Sequence, residues 1–399
     1  MTPAARILVA ARGLRAFGDG FIALLLPVYL TRLGFSPFQV GALTTATLLG
    51  SAVLTLGVGL VAHRIAPRRL LFAACVLMLA TGLAFAGVRD FWPLMVVGFV
   101  GTLNPSGGDV SPFLPLEQAL LAHAGPDDQR TRLFARYSLT GSLLGAAGAL
   151  GLGAAAKLGG LVGADPLAVA RALFVLYGLI GMAVFLLYRA LPAIPVGEEP
   201  VREPLGPSRK RVLMLAGLFS LDSFGGGFLV QSLLALWLFR TWGLSLGAAS
   251  AFFFWAGVLT AFSQLASSRL AARIGLINTM VFTHIPAQLC LIAVAFAPSL
   301  PIAITLLLVR SSLSAMDVPA RTSYVMAIVT PPERAAAASV TNVPRSLASA
   351  LSPSLAGALL TLSPFAWPLV IGGGLKIAYD LLLLVMFRTV KPPEEQRTS

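Results

Sequence analysis

The sequence predicts an all-α membrane protein with twelve transmembrane helices, arranged as two pseudo-symmetric bundles of six. Composition is the first reason: of 399 residues, 57% are hydrophobic and 11% are charged, whereas a soluble domain carries about 25% charged residues. The mean hydropathy of +0.86 agrees. Length is the second reason, since the apolar stretches reach the roughly 20 residues that a helix needs to cross a bilayer. An internal repeat is the third.

Twelve stretches meet that length, and we number them first to twelfth in chain order. A proline-rich segment of mixed charge, residues 191–211, separates the sixth from the seventh and is typical of a linker. It divides an N-terminal bundle, residues 1–190, from a C-terminal bundle, residues 212–399. The predicted spans are residues 7–32, 37–62, 70–88, 93–123, 132–156, 167–189, 212–239, 246–271, 276–297, 301–329, 336–361 and 366–388.

The net charge is strongly basic, +13 at neutral pH, and most Lys and Arg residues lie in short loops on one side of the predicted spans. This asymmetry orients helices in a membrane, so we expect both termini in the cytoplasm and no nucleic-acid partner. Arg greatly outnumbers Lys and Ala is abundant. Both features favour a bacterium with GC-rich DNA, and therefore the bacterial inner membrane.

Short segments recur in the two halves at a nearly constant offset. FGDGF at 17–21 corresponds to FGGGF at 224–228, and VAHRIA at 61–66 corresponds to LAARIG at 270–275. An even number of spans in each half keeps the two halves in the same orientation. Parallel repeats of this kind are a recurring plan of transporters.

With twelve spans, a six-plus-six repeat and a basic loop after the second span of each half, the chain resembles the major facilitator superfamily over essentially its whole length. The loops read GLVAHRIAPRR at 59–69 and SRLAARIG at 268–275. The acidic position of the family's loop motif is His63 in one half and Ala272 in the other, which leaves the salt-bridge part of the motif open. The resemblance implies a cytoplasmic gate built from Gly59, His63, Arg64, Arg68, Arg69, Arg273 and Gly275.

Polar residues concentrate in the first, fourth, seventh and tenth spans, the four that the resemblance places around a central cavity. Ionised side chains are costly in lipid, and they face one another or water. The predicted substrate and proton pathway consists of Arg15, Asp19, Asn104, Asp109, Asp222, Gln231, Arg310, Asp317 and Arg321.

The fourth span is too long for one straight helix. Its 31 positions (93–123) would extend about 46 Å at 1.5 Å per residue, so we expect a break near Gly107–Gly108. Asp109 then either lines the transport path or caps the resumed helix. Asp19 either titrates or forms a static ion pair with Arg15, which precedes it by one turn.

The remaining pairings follow sequence spacing. Asp317 is placed to pair with Arg310 or Arg321 on one face of the tenth span, and Arg321 either binds an anionic group or extends to the lipid headgroups. Glu117 is expected to pair across a short loop, with Arg132 or Arg136. Structural pairs are expected for Lys376 with Asp380 and for Asn342 with Arg345, and a buried polar role for His284.

The function favoured by these features is proton-coupled efflux of a small molecule by alternating access. Symport uptake, facilitated transport of a small organic solute and a non-transporting sensor are the alternatives. The sequence contains no phosphate-binding loop for ATP. Three histidines on separate segments and two isolated cysteines favour neither a metal site nor an enzyme. We therefore expect no cofactor, and a monomer in the lipid bilayer whose partners are its substrate and protons.

Overall fold

We describe the chain from a computed structural model, which places residues 1–61, 64–106, 111–122, 124, 130–192, 205–388 and 390. These residues form helices joined by short connections, and no strand occurs among them. Ten helical segments are long and apolar enough to cross a membrane. The prediction of an all-α, multi-pass membrane protein is confirmed.

The helix bounds match the twelve predicted spans closely. Three of the spans consist of two helices each: the fourth (α4 and α5), the seventh (α8 and α9) and the tenth (α12 and α13). In the described part of the chain the helices are α1 Pro3–Arg32, α2 Pro37–Val61, α3 Pro67–Gly87, α4 Phe91–Val100, α5 Phe113–Ala122, α6 Arg130–Leu161, α7 Pro166–Arg189, α8 Arg209–Gly227, α9 Gln231–Trp242, α10 Leu246–Ile274, α11 Leu276–Ala295, α12 Leu300–Leu313, α13 Asp317–Ala327, α14 Arg334–Leu362 and α15 Trp367–Phe387.

Local sequence explains where the three spans break. The seventh span breaks after the run Gly225–Gly227, since each glycine costs about 1 kcal/mol in a helix relative to alanine. The tenth breaks at 314–316 because the ring of Pro319 excludes a helical carbonyl four residues earlier but fits the first turn of α13. The fourth span leaves the helix at Gly101, before the predicted break at Gly107–Gly108, which lies outside the described residues.

The chain forms two compact units, which do not coincide with the two halves of the sequence. Unit 1 contains Met1–Gly197, Val230–Phe254 and Pro353–Leu362, and unit 2 contains Glu198–Leu229, Trp255–Ser352 and Ser363–Ser399. Unit 1 therefore includes α9, the beginning of α10 and the end of α14. The division into bundles at 1–190 and 212–399 stays a prediction.

Within unit 1, α2 and the end of α14 approach each other at the backbone. A Cβ atom on Gly41 would overlap the carbonyl oxygen of Pro353, and one on Gly357 would overlap the backbone of α2. The hydroxyls of Thr45 and Ser354 lie 2.8 Å apart in the same contact. Small residues allow such close approach, on which helix association in membranes depends.

We expect Gly41→Ala to lower the free energy of unfolding by about 1–3 kcal/mol, the usual cost of overpacking a close contact. SDS titration of the purified protein, followed by circular dichroism, measures this energy. Gly57→Ala is the matched control, because it lies on the same helix and a Cβ there would meet nothing within 4 Å. Equal stability of the two variants would contradict the close packing of α2 against α14.

Within unit 2, Glu333 joins the loop after α13 to the start of α8. Its carboxylate accepts hydrogen bonds from the hydroxyls of Thr330 (2.7 Å) and Ser208 (2.7 Å), and from the backbone N–H groups of Gly206 and Ser208. These donors, the hydroxyl of Thr330 first, lower the pKa of Glu333 to about 2. The ionised carboxylate thus fixes the entry of the chain into α8.

The stabilising effect of Glu333 should depend on pH. Because its folded-state pKa lies below the ordinary value of about 4.3, the contribution is complete above that ordinary value and is lost as the pH falls towards 2. We therefore expect Glu333→Gln to melt at a lower temperature than the unmodified protein at pH 7, and the gap to close on acidification. Melting curves at pH 7, 5 and 3 test this; a gap that is constant with pH would contradict it.

Candidate functional site

The first buried polar group in unit 1, the Arg15 cluster, consists of Arg15, Ser111, Glu117, Tyr137 and Tyr188. Arg15 in α1 and Glu117 in α5 are 2% and 0% exposed and form an ion pair. The guanidinium also donates to the hydroxyl of Ser111 at 3.3 Å. A charge buried in this way is tolerated when it is paired and hydrogen-bonded.

The carboxylate of Glu117 accepts hydrogen bonds from three of the side chains that the structure describes. Besides Arg15, it accepts hydrogen bonds from the hydroxyl of Tyr137 in α6 and that of Tyr188 in α7. The guanidinium of Arg15 lies 4.2 Å from the ring centre of Phe113, a cation–π contact. The cluster therefore joins four helices of unit 1 through one ion pair.

The predicted pairing of Glu117 with Arg132 or Arg136 is wrong. Glu117 is fully buried, while both arginines are exposed on α6. Arg15 is the partner because it is buried next to Glu117, and ionised groups inside a membrane protein face one another or water.

Asp19 lies one turn beyond Arg15 in α1 and is also buried. Asn104, in the irregular segment between α4 and α5, is hydrogen-bonded to Asp19, and Arg15 and Arg12 lie near enough to interact with it electrostatically. The hydroxyl of Ser106 donates to the Asn104 side-chain oxygen at 2.6 Å. The structure thus brings Asp19 and Asn104 together, while Arg15 forms its ion pair with Glu117. Asp109 lies outside the described residues.

Gln231, half-buried, is the first residue of α9. The N–H of the next residue, Ser232, donates to the carbonyl of Pro105 at 3.2 Å. Gln231 is therefore the chain neighbour of a residue that contacts the segment carrying Asn104. The broken fourth and seventh spans meet in unit 1 through this bond.

The buried polar group of unit 2 is centred on Asp222 in α8. Its oxygens accept hydrogen bonds from Nζ of Lys376 at 2.6 Å and from Nη1 of Arg321 at 2.9 Å. We call it the Asp222 cluster, and its members are Asp222, His284, Asp317, Arg321, Lys376 and Asp380.

Arg321 connects two carboxylates. Its Nη2 lies 3.2 Å from Asp317, one turn earlier in α13, and its Nη1 contacts Asp222. Only 5% of Arg321 is exposed, so the ion pairs, rather than extension to the headgroups, account for its position. Arg310 lies at the end of α12, half-buried, and the break after Leu313 interrupts the single face that was predicted to carry it with Asp317.

His284 in α11 contacts two carboxylates. Its Nδ1 is 2.9 Å from Asp380 and its Nε2 is 3.9 Å from Asp222. The predicted local pairs are replaced by tertiary ones: Lys376 contacts Asp222 rather than Asp380, and Nε of Arg345 donates to the hydroxyl of Ser223 at 2.7 Å rather than pairing with Asn342.

Several residues of these two clusters are not among the predicted site residues. The i,i+4 spacing of Lys376 and Asp380 in an apolar span predicts that they pair with each other. Charged or tyrosine side chains inside apolar spans are the signal that identifies the set as a whole. The added residues are Glu117, Tyr137, Tyr188, His284, Lys376 and Asp380.

The predicted gate residues that the structure describes lie at or beside the ends of α2, α3 and α10. Nη2 of Arg68 donates to the carbonyl of Arg189 at the end of α7, and its guanidinium lies 5.5 Å from the ring centre of Phe72. A cation is favourable at a helix C-terminus. Gly275 has a φ of +86°, which glycine adopts without strain. The side chains of Arg64, Arg69 and Arg273 are exposed, as is Gly59; His63 lies outside the described residues.

In the part of the chain that the structure describes, no group of three His, Cys, Asp or Glu residues is placed to hold a metal ion. The chemistry available to the two clusters is therefore ion pairing, hydrogen bonding and proton binding by carboxylates and one imidazole.

Comparison with known proteins gives consistent results. A family model described as Major Facilitator Superfamily matches residues 8–313 and 216–399. The uncharacterized membrane protein YJR124C of Saccharomyces cerevisiae is 26% identical over 420 residues, which cover 96% of this chain and 93% of that protein. The nucleoside transporter NupG superposes with a TM-score of 0.76 at 14% identity, covering 96% of this chain and 99% of that chain. A bacterial homologue of the human lysosomal transporter Spinster, inward-facing and occupied, superposes with a TM-score of 0.75 at 18% identity, covering 96% of each chain.

We expect Glu117→Gln to destabilise unit 1 by about 3–5 kcal/mol, because it leaves the guanidinium of Arg15 buried without a counter-charge. Thermal unfolding of the purified protein measures the loss. The double variant Arg15→Met with Glu117→Leu is the control: it removes both charges, and most of the stability should return. A double variant as unstable as Glu117→Gln alone would show that the ion pair is not what joins the four helices.

Proposed function

The chain belongs to the Major Facilitator Superfamily, and we propose that it is a secondary active transporter that exports a small organic molecule in exchange for protons. Membership of this family makes the chain a multi-pass transporter rather than an enzyme. The excess of Lys and Arg in the loops of one side supports an orientation with both termini in the cytoplasm, and the bias towards Arg and Ala supports a bacterial inner membrane.

The observation that carries the proposal is the placement of buried charge. The Arg15 cluster lies on the first and fourth spans, and the Asp222 cluster centres on the seventh and tenth. These are the four spans expected to line the substrate path. Ionisable groups within membrane spans are expensive and mark substrate and ion pathways by default. Three of the four spans are also broken, which membrane depth tolerates only inside protein or beside water.

Within this pathway, the buried carboxylates fall into two classes according to whether their hydrogen-bond partner is a cation or an amide. Glu117 and Asp222 bind permanent cations and are suited to joining helices. Asp19 contacts the amide of Asn104 in the irregular segment of the fourth span, so we assign proton coupling to Asp19, together with Asp109. Arg310 and Gln231 remain candidates for contacts with substrate.

The ionic clusters, the predicted gate and the broken spans also provide the elements that alternating access requires. The spans with ionic clusters provide groups whose pairing changes when a proton or a substrate binds. The proposed cytoplasmic gate consists of the predicted gate residues Gly59, His63, Arg64, Arg68, Arg69, Arg273 and Gly275. A broken span bends at its break while both of its helices stay intact.

The first experiment identifies a substrate. Purified protein is screened by thermal shift against classes of organic compound, since a ligand that binds only the folded state raises its melting temperature. A compound that raises it is then followed in proteoliposomes with a pH gradient imposed across the membrane. Uptake or release that ignores the gradient would contradict proton coupling and favour facilitated transport.

We expect Asp19→Asn to abolish flux driven by the pH gradient and to retain exchange of substrate across the membrane, because the variant binds substrate without releasing a proton. Radiolabel counterflow and gradient-driven flux are measured on the same proteoliposomes. Asp90→Asn is the matched control, because Asp90 is exposed and its side chain forms no cap hydrogen bond at the start of α4. Wild-type gradient-driven flux in Asp19→Asn would remove Asp19 from coupling.

A further inference from the structure

His284 occupies an unusual position in unit 2, between two carboxylates. Its Nδ1 lies 2.9 and 3.0 Å from the two oxygens of Asp380, and its Nε2 lies 3.9 Å from Oδ1 of Asp222. All three side chains are buried. When Asp380 is ionised, it can only accept a hydrogen bond, so Nδ1–H of His284 donates to it and Nε2 is the position that can gain or lose a proton.

The two carboxylates differ in their cations. Asp222 binds both Lys376 and Arg321, whereas the contact of Asp380 is the histidine. The groups that face His284 are Asp222 on α8 and Tyr379 and Asp380 on α15. Asp222 in turn interacts with Lys376 on α15, Arg321 on α13 and Arg345 on α14, and Arg321 also pairs with Asp317.

Lys376 has a second carboxylate within reach. It contacts Asp222 on another helix, but Asp380 follows it by four residues on α15, a spacing that places side chains about 5–6 Å apart at Cβ. The stem of Lys376 lies against the glycine run of α8, where a Cβ on Gly226 would be 3.6 Å from Nζ. Gly225 and Gly226 have no side chains, so they do not block a movement of the ammonium group from Asp222 towards Asp380.

Unpaired polar groups border the histidine. Among the described residues, the amide of Gln288 and the hydroxyl of Tyr379 have no hydrogen-bond partner although both are buried. Gln288 follows His284 by one helical turn, and the ring of Tyr379 lies 6.2 Å from the imidazole ring. Buried polar groups of this kind are where internal water binds, and water is the carrier that a proton needs to reach His284.

We propose that His284 and Asp380 form a second proton-binding site, and that Lys376 passes from Asp222 to Asp380 when the proton leaves. In the loaded state Nδ1–H donates to Asp380 and Nε2–H faces Asp222, so the pair is an imidazolium and a carboxylate with no net charge. On release the Nε2–H bond breaks, its electron pair stays on nitrogen and the proton passes to water. The pair then carries one negative charge, which attracts Lys376.

This site would couple proton binding to helix contacts. While Lys376 binds Asp222, it joins α15 to α8; once it binds Asp380, both charges lie on α15 and Asp222 retains Arg321 alone. Proton binding thus controls whether the Lys376–Asp222 ion pair joins the twelfth span to the seventh. The inference rests on the proposed proton coupling and adds to it a site in unit 2, outside the four spans predicted to line the cavity.

The proton itself is the probe for the first test. Proteoliposomes on a solid-supported membrane receive a rapid pH jump without substrate, and the displaced charge is recorded. In a background that carries both Asp19→Asn and Asp109→Asn we expect a residual displacement, which His284→Gln and Asp380→Asn each reduce to the level of protein-free liposomes. Asp90→Asn should leave it unchanged.

The outcomes separate the two proposals. No displacement in the unmodified protein would overturn proton coupling and this site with it. A displacement that His284→Gln and Asp380→Asn leave intact would overturn the site alone. Two variants from different helices are used so that one folding failure, detected by size-exclusion chromatography, leaves the other to decide.

The second test follows the movement of Lys376. Hydrogen–deuterium exchange of peptides from α8, corrected for intrinsic pH dependence, should increase at alkaline pH in the unmodified protein, because α8 loses its bond to α15. Lys376→Met should exchange at the alkaline rate at every pH. A pH-dependent exchange in Lys376→Met equal to that of the unmodified protein would overturn the lysine transfer.

Discussion

The cost of placing a charge inside a membrane protein is the constraint on which the rest of this structure depends. An unpaired ion in the interior costs several kcal/mol, so each buried charge has to find a partner on another helix. In unit 1 the ion pair between Arg15 and Glu117, with the hydroxyls of Tyr137 and Tyr188, joins four helices. In unit 2 the carboxylate of Asp222 joins three helices, α8, α13 and α15. The helices themselves are apolar and would slide past one another in lipid, since hydrophobicity does not distinguish a neighbouring helix from acyl chains. Ionic pairs and close glycine contacts therefore specify which faces meet.

The two halves of the sequence carry opposite charges at equivalent positions of their buried ion pairs. The repeat that aligns FGDGF with FGGGF also aligns Arg15 with Asp222. Each begins a buried ion pair from the first span of its half to the fourth, but the cation is on the first span in one half and on the fourth in the other. A repeat that kept the same charge at both positions would have made two equivalent sites. The inverted arrangement makes the two sites chemically distinct.

Much of the fold could be predicted from the sequence, because span length and apolar composition are local properties. All twelve predicted spans correspond to helices, and the concentration of polar residues in four spans anticipates both clusters. The partners could not be predicted in the same way. Glu117 has arginines across a short loop and Lys376 has Asp380 one turn away, yet each pairs with a residue far along the chain. Sequence spacing shows which groups are neighbours on one helix, but pairing depends on which face of that helix turns inward, a tertiary property that burial decides.

The glycine run of α8 shows how the buried charges of the two halves come to differ. The repeat places Gly226 where the other half has Asp19. The ammonium group of Lys376, which comes from the twelfth span, lies beside that position, 3.6 Å from where a Cβ on Gly226 would be. Where the first span has an acid, the seventh thus has a neighbouring cation from the twelfth span, and the same carboxylate, Asp222, also faces His284, which contacts Asp380. A carboxylate at Gly226 would compete with Asp222 for Lys376 and would bind the lysine permanently. With glycine at this position, Asp222 and Asp380 are the two carboxylates between which, in our proposal, Lys376 moves.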